Sequence, residues 1–191
     1  YFLFGLAQAL TGYAAWVFER QETFAVRRED DPQIGTNPKR LVVYFSRMGY
    51  VRRKAFEEAA RTGAEVYEIQ AAERTEGTLG FWWCGRSAMH RWPMPIRPVT
   101  VDLTAYEHVT ICSPIWAFAL AAPVRAFCQA ASGKIREADY LLVHFSPASY
   151  ENAADEMDRL LGLKRTGLRS FACQMGRYRE MAKKTPGEIS A

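Results

Sequence analysis

The chain has 191 residues, 49% of them hydrophobic and 24% charged, with a formal net charge of +4 and a sequence pI near 8.9. That composition supports one packed domain with an appendage and excludes wholesale disorder. The basic excess is far below the Lys/Arg density of a nucleic-acid binder.

Tyr1–Phe18 contains no charged residue. No basic stretch precedes it, so it does not read as a signal peptide. Its length suits either a membrane or membrane-proximal helix or a helix docked on the protein. In the membrane case Arg20, Arg27 and Arg28, which follow, place the main domain on the cytoplasmic side. Residues 19–40 mix Arg20, Arg27, Arg28, Lys39 and Arg40 with Glu19, Glu22, Glu29, Asp30 and Asp31, and carry Pro32, Gly35 and Pro38. They read as a connecting arm, so the expected division is residues 1–39 as helix plus arm and 40–191 as the domain.

From Leu41 strand-like and helix-like segments alternate. LVVYF (41–45) is an apolar run suited to a strand covered on both faces. YVRRKAFEEAAR (50–61) is helical, with Val51, Ala55, Phe56 and Ala59 on one face and Gly63 as its stop. EVYEI (65–69), HVTICS (108–113), DYLLVHFS (139–146) and LRSFACQM (168–175) read as further strands. Helices are expected at 119–131, with Pro123 in its early turn, and at 152–162, ended by Gly162. Such alternation predicts a parallel sheet with right-handed crossovers and helices on both faces. Ligands of such sheets bind beyond the carboxyl ends of the strands, which directs attention to the segments after Phe45, Cys112 and Phe145.

The four cysteines, Cys84, Cys112, Cys128 and Cys173, form no C-x-x-C pair. A metal site and a secreted disulfide framework are therefore not expected, and the default setting is reducing and cytoplasmic. Cys112 and Cys128 read as small buried hydrophobes. No catalytic acid, base or nucleophile stands out.

Three segments together resemble the flavodoxin family: YFSRMGYVRRKAFEEA (44–59), YEHVTICSPIWAFALAAPVRAFC (106–128) and HFSPASYENAADEMDRLL (144–161). The S-P-I-W stretch is the specific part, and the resemblance covers about residues 40–175. It implies a flavodoxin-like three-layer sandwich, a five-stranded parallel sheet of order 2-1-3-4-5 with an N-terminal helical extension. It also implies FMN at the crest between strands one and three. The cofactor-binding residues implied are Ser46, Arg47, Met48, Gly49, Tyr50 and Val51 in the first loop. Pro114, Ile115, Trp116, Ala117 and Phe118 follow in the second, and Ser146, Ser149 and Tyr150 in the third.

The phosphate loop departs from the family pattern. Ser46 and Gly49 are kept, but Met48 and Val51 stand where two hydroxyl residues belong. Each missing hydroxyl removes a hydrogen bond to a charged group, worth roughly 1.5–3 kcal/mol. Arg47, Arg52, Arg53 and Lys54 offer compensating charge or simply form a basic helix face. The third loop, SPASYEN, carries Pro147 and Tyr150 but no glycine. Tyr150 suits either stacking on a ring or filling the ring's place. Trp116 suits either flanking the ring or packing under its loop, and His144 reads as a core histidine.

GTLGFWWCGRSAMHRWPMPIRP (77–98) is an insert rich in tryptophan. It reads as a satellite hydrophobic cluster, a lid, or a docking surface. Two functions follow from the resemblance. One is an FMN-binding redox protein, an electron carrier or an FMN-dependent oxidoreductase working with a partner protein or a small-molecule acceptor such as a quinone. The other is a flavodoxin-like scaffold that no longer binds flavin. Membrane contact through residues 1–18 and homo-oligomerisation are compatible with both.

Overall fold

A computed structural model describes residues 35–181, apart from Met175 and the side chain of Thr78, and upstream of them Gly5, Gln8, Ala9, Thr11, Gly12, Tyr13 and Trp16. The expectations for Tyr1–Phe18 and for the arm rest largely on positions outside the described residues. Among the described residues no helix is long and apolar enough to cross a membrane.

The elements in chain order are β1 (Asn37–Tyr44), α1 (Tyr50–Thr62), β2 (Ala64–Glu68), α2 (Gly77–Met89), a 3-10 turn (Leu103–Ala105), β3 (His108–Trp116), β4 (Ala119–Leu120), α3 (Ala122–Ala130), β5 (Glu137–His144), α4 (Glu151–Leu161), β6 (Gly167–Gln174) and β7 (Arg177–Met181). Strand order is β2-β1-β3-β5-β6-β7, with β4 paired to β3. The five-stranded expectation is thus corrected to seven. The extra pieces are antiparallel: two-residue β4 returns from β3, and β7, RYREM, pairs with β6. Neither carries the apolar run that marks a buried strand. The strands paired in parallel are β2-β1-β3-β5-β6. β1 starts at Asn37, before the boundary expected at residue 40.

β1 explains the layering. Leu41, Val42, Val43, Tyr44 and Phe45 are all buried. Because side chains alternate along a strand, they feed two cores. Val42 and Tyr44 pack with Val51, Ala55 and Ala59 of α1, together with Cys112, Leu141 and Val143. Leu41, Val43 and Phe45 join the core on the opposite face, with Val124 and Phe127 of α3 and Ala153, Ala154 and Met157 of α4. α1 stops at Gly63 (φ +71°), whose N–H donates to Ala59 O, and α4 stops at Gly162, whose N–H donates to Asp158 O. All four cysteines are free and buried.

The insert is an ordered helix, α2, which local propensity does not announce. Cys84 packs with Met94 and Ala122, forming a small separate core. Gly80 permits the close approach: a Cβ there would lie 2.4 Å from the carbonyl carbon of Thr75.

Candidate functional site

The parallel strands end at a common crest. Phe45 follows β1, Pro114–Trp116 close β3, and Val143 and His144 close β5. A cavity of about 270 Å³ lies there, with Ser46, Arg47, Met48, Tyr50 and Val51 on one side. Pro114, Ile115, Trp116 and Ala117 form a second wall, and Val143, His144 and Phe145 a third. Phe81, Cys84 and Gly85 of α2 complete it. Gly49, Phe118, Ser146, Ser149 and Tyr150 are not on its lining. Phe118, Ser149 and Tyr150 instead border a separate depression near Pro147.

The first loop keeps the backbone of an anion cradle. Gly49 takes a left-handed conformation (φ +88°), and helix α1 starts at the next residue with no acidic residue in its first turn. Ser46 Oγ accepts from Gly49 N–H at 3.0 Å, leaving its own proton for an outside acceptor. The main-chain N–H groups of Met48 and Val51 meet no acceptor among the described residues. They are available at the positive end of the helix dipole. The side chains add less. Val51 is buried in the α1 core, with Met48 packed against it. The Arg47 guanidinium donates to Thr75 O at 2.7 Å and Gly77 O at 3.0 Å, tying this loop to the start of α2. Arg53 and Lys54 pair with Glu57 and lie over the Tyr178 ring, so neither is held for an anion in the loop.

The second loop differs from its reading as a loop. S-P-I-W continues β3 to Trp116, and the chain then reverses into β4 through Ala117 (φ +45°) and Phe118 (φ +62°). Two positive φ values make a type I′ turn, which favours Asn-Gly; a Cβ in this left-handed conformation costs roughly 1–2 kcal/mol per residue. Phe118 is 75% exposed, so packing does not explain the strain. Phe118→Gly should raise the unfolding free energy by about 0.5–1 kcal/mol, the strain relieved exceeding the added freedom of the unfolded chain. A higher urea midpoint at unchanged slope checks this; a lower midpoint contradicts it. Trp116 meets Phe45 edge-on, with ring centroids 5.4 Å apart, and also lines the cavity.

In the third loop Tyr150 is buried, its ring 4.7 Å from that of His144 and its hydroxyl 2.8 Å from Ser146 Oγ. It braces the loop from beneath. His144 Nδ1 lies 2.6 Å from Ser146 O, which can only accept, so that nitrogen carries the proton. Nε2 then accepts from Ser170 Oγ at 2.6 Å. Burial holds this imidazole below the usual histidine range, in keeping with the neutral form. Burial likewise pushes the Cys84 thiol up to about 11, so it is a neutral wall group at pH 7 rather than a nucleophile. The cavity is therefore an apolar, aromatic-edged slot beside a helix N-terminus, suited to a flat ring carrying an anionic tail.

The chain matches no protein-family model and no curated protein. Solved structures do match. A flavoprotein from Lactobacillus acidophilus NCFM, in complex with FMN, aligns with a TM-score of 0.60 at 16% identity, over 70% of this chain and 93% of its own. A protein from Bacteroides eggerthii assigned as a flavoprotein gives 0.61 at 24% identity, over 70% and 88%. Another, from Bacteroides uniformis, gives 0.59 at 22%, over 72% and 94%. The chain shares its fold with these structures. At these identities the likeness is one of fold alone, and it extends to nearly the full length of each flavoprotein.

The cavity wall of Phe81, Cys84 and Gly85 and that of Val143, His144 and Phe145 were not among the site residues expected from sequence. Val143–Phe145 follow from the rule that such folds bind at strand ends. The α2 wall had only the aromatic richness of residues 77–98 to mark it.

Proposed function

We propose that this chain binds FMN in the crest cavity and serves as a redox protein, exchanging electrons with a partner protein or a small-molecule acceptor. The observation that carries the reading is the coincidence of an apolar slot with the N-terminus of α1 at the ends of β1, β3 and β5. The fold shared with a flavoprotein complexed with FMN supports it. The residues fit the two halves of FMN unequally. Trp116, Ile115, Phe81 and Phe145 suit the ring. Ser46 O–H and the α1 amides suit the phosphate, while Met48 and Val51 offer it no side-chain donor.

FMN, when bound, supplies the reversible uptake of electrons. The chain's part is to place the ring and exclude water. Phe81, Ile115 and Trp116 wall the slot, and the Arg47 bonds to Thr75 O and Gly77 O hold α2 against the first loop. His144 bonds Ser146 O of the third loop through Nδ1 and Ser170 Oγ of β6 through Nε2, so it acts as a brace and not as a proton donor. Residues 1–18 would hold the domain at the cytoplasmic face of a membrane.

Titration of the purified full chain with FMN tests the reading. Flavin fluorescence should be quenched to saturation at one FMN per chain, and the complex should bleach with dithionite and recover in air. A chain that stays colourless after incubation with FMN and gel filtration would instead favour the scaffold reading, for which Met48 and Val51 speak.

A further inference from the structure

The outer face of α2 has no role in the cavity and carries an unusual surface. Leu79, Trp82, Trp83, Arg86 and Met89 fall at i, i+3, i+4, i+7 and i+10, one side of the helix. Leu79 is 77% exposed, Met89 66% and Trp82 51%, and Trp92 just beyond the helix is 45% exposed. Gly80, Cys84, Ser87 and Ala88 are buried on the other side. The charged group carried by the helix itself on this face is the cation Arg86, with one carboxylate, Glu73, at its edge against Trp83. The Arg86 guanidinium sits 5.2 Å from the Trp83 ring and 4.7 Å from the Trp92 ring, and Arg91 and Arg97, which follow in sequence, are exposed. Residues 77–98 contain no Asp or Glu. The nearest acids in sequence, Glu73 and Glu76, precede the helix, and Glu73 accepts from Trp83 Nε1 at 2.5 Å.

Exposed tryptophan and leucine beside arginine, on a helix that itself contains no acid, is a composition suited to the headgroup region of an anionic membrane. We propose that the outer face of α2 seats on an anionic lipid bilayer. A second feature points to the same occupant. Stable membrane attachment generally needs two weak signals, and the uncharged stretch Tyr1–Phe18 provides another in the same chain. Residues 19–36, which join that stretch to β1, have a contour length of ~60 Å, enough for both to engage one surface. Charge complementarity decides against a second copy of this chain: the face is cationic and so is the protein as a whole. The inner edge of α2, through Phe81, Cys84 and Gly85, lines the cavity. Seating therefore brings the cavity within one helix diameter, ~10 Å, of lipid. The inference stands independently of what the cavity binds.

The test uses the full chain carrying Trp16→Phe, with vesicles of phosphatidylcholine and phosphatidylglycerol that contain brominated acyl chains. Tryptophan emission should be quenched, and adding Trp82→Phe, Trp83→Phe and Trp92→Phe, which leaves only Trp116, should remove the quenching. Arg91→Gln with Arg97→Gln should weaken binding to these vesicles by about 30-fold and leave binding to pure phosphatidylcholine unchanged. Leu79→Glu should lower the quenching with no change in urea midpoint. Vesicle binding without quenching in the Trp16→Phe chain would overturn the proposal, since the N-terminal segment would then be the sole anchor. So would emission that is already blue-shifted without lipid and insensitive to it, which would mean that protein covers this face.

Discussion

Met48→Thr combined with Val51→Thr should tighten FMN binding by about two to four powers of ten and leave riboflavin binding nearly unchanged. Both side chains line the cavity at the first loop, where α1 presents its N-terminus. Each new hydroxyl adds a hydrogen bond to a dianionic group, worth roughly 1.5–3 kcal/mol, and 1.4 kcal/mol is tenfold in affinity. Riboflavin has the ring without the phosphate, so it reports any change in the slot itself. The substitutions also have a cost to folding. Val51 is 2% exposed in the α1 core, and a hydroxyl there should lower stability by about 1–3 kcal/mol. Fluorescence titration with both ligands checks the prediction. Equal gains for FMN and riboflavin, or none for FMN, would mean that the loop does not face the phosphate.

Arg125→Met should lower the unfolding free energy by about 3–5 kcal/mol. Arg125 of α3 is 2% exposed, and Glu156 of α4, which it meets, is 7% exposed. Arg125 Nε donates to Glu156 Oε1 at 2.5 Å, and Nη2 approaches Oε2 at 3.4 Å. Nη1 donates to Trp92 O at 3.1 Å, so one guanidinium fastens α3, α4 and the chain leaving α2. Removing the arginine strands a carboxylate in the core and orphans a carbonyl. Arg125→Met with Glu156→Leu removes both charges together and should recover most of the loss, because a buried pair and an apolar replacement are of similar stability. Urea unfolding of the three chains decides it. A single variant that costs less than about 1 kcal/mol would mean that water already reaches the pair.

The alternating order of strands and helices was legible because buried strands announce themselves. LVVYF is apolar throughout since both of its faces are covered, and α1 and α4 end at the glycines whose positive φ their caps require. The crest was legible for the same topological reason. What escaped was set by contacts distant in sequence. α2 holds Gly77, Gly80 and Gly85 and is a poor helix by propensity; packing of Gly80 on Thr75 and of Cys84 on Met94 and Ala122 fixes it. The reversal after Trp116 lacks the Asn-Gly signal of its turn type, so Ala117 and Phe118 gave no hint of β4. β7 sets three exposed charged residues beside half-buried Tyr178 and Met181 and becomes a strand only by pairing with β6. In sequence Tyr150 reads as stacking on a ring or filling the ring's place; it is instead off the cavity lining, its hydroxyl bonded to Ser146 in its own loop.

The most direct test of the account is the FMN affinity of Gly85→Trp beside that of the unaltered chain. Gly85 lines the cavity, and a Cβ there meets nothing within 4 Å. The indole would fill the slot from a helix position where glycine is itself unfavourable, so the fold should hold or gain slightly. The unaltered chain should bind one FMN, and Gly85→Trp should weaken binding by at least about 100-fold, or 2.7 kcal/mol, at an undiminished urea midpoint. Equal FMN binding by the two chains, or none by either, would contradict it.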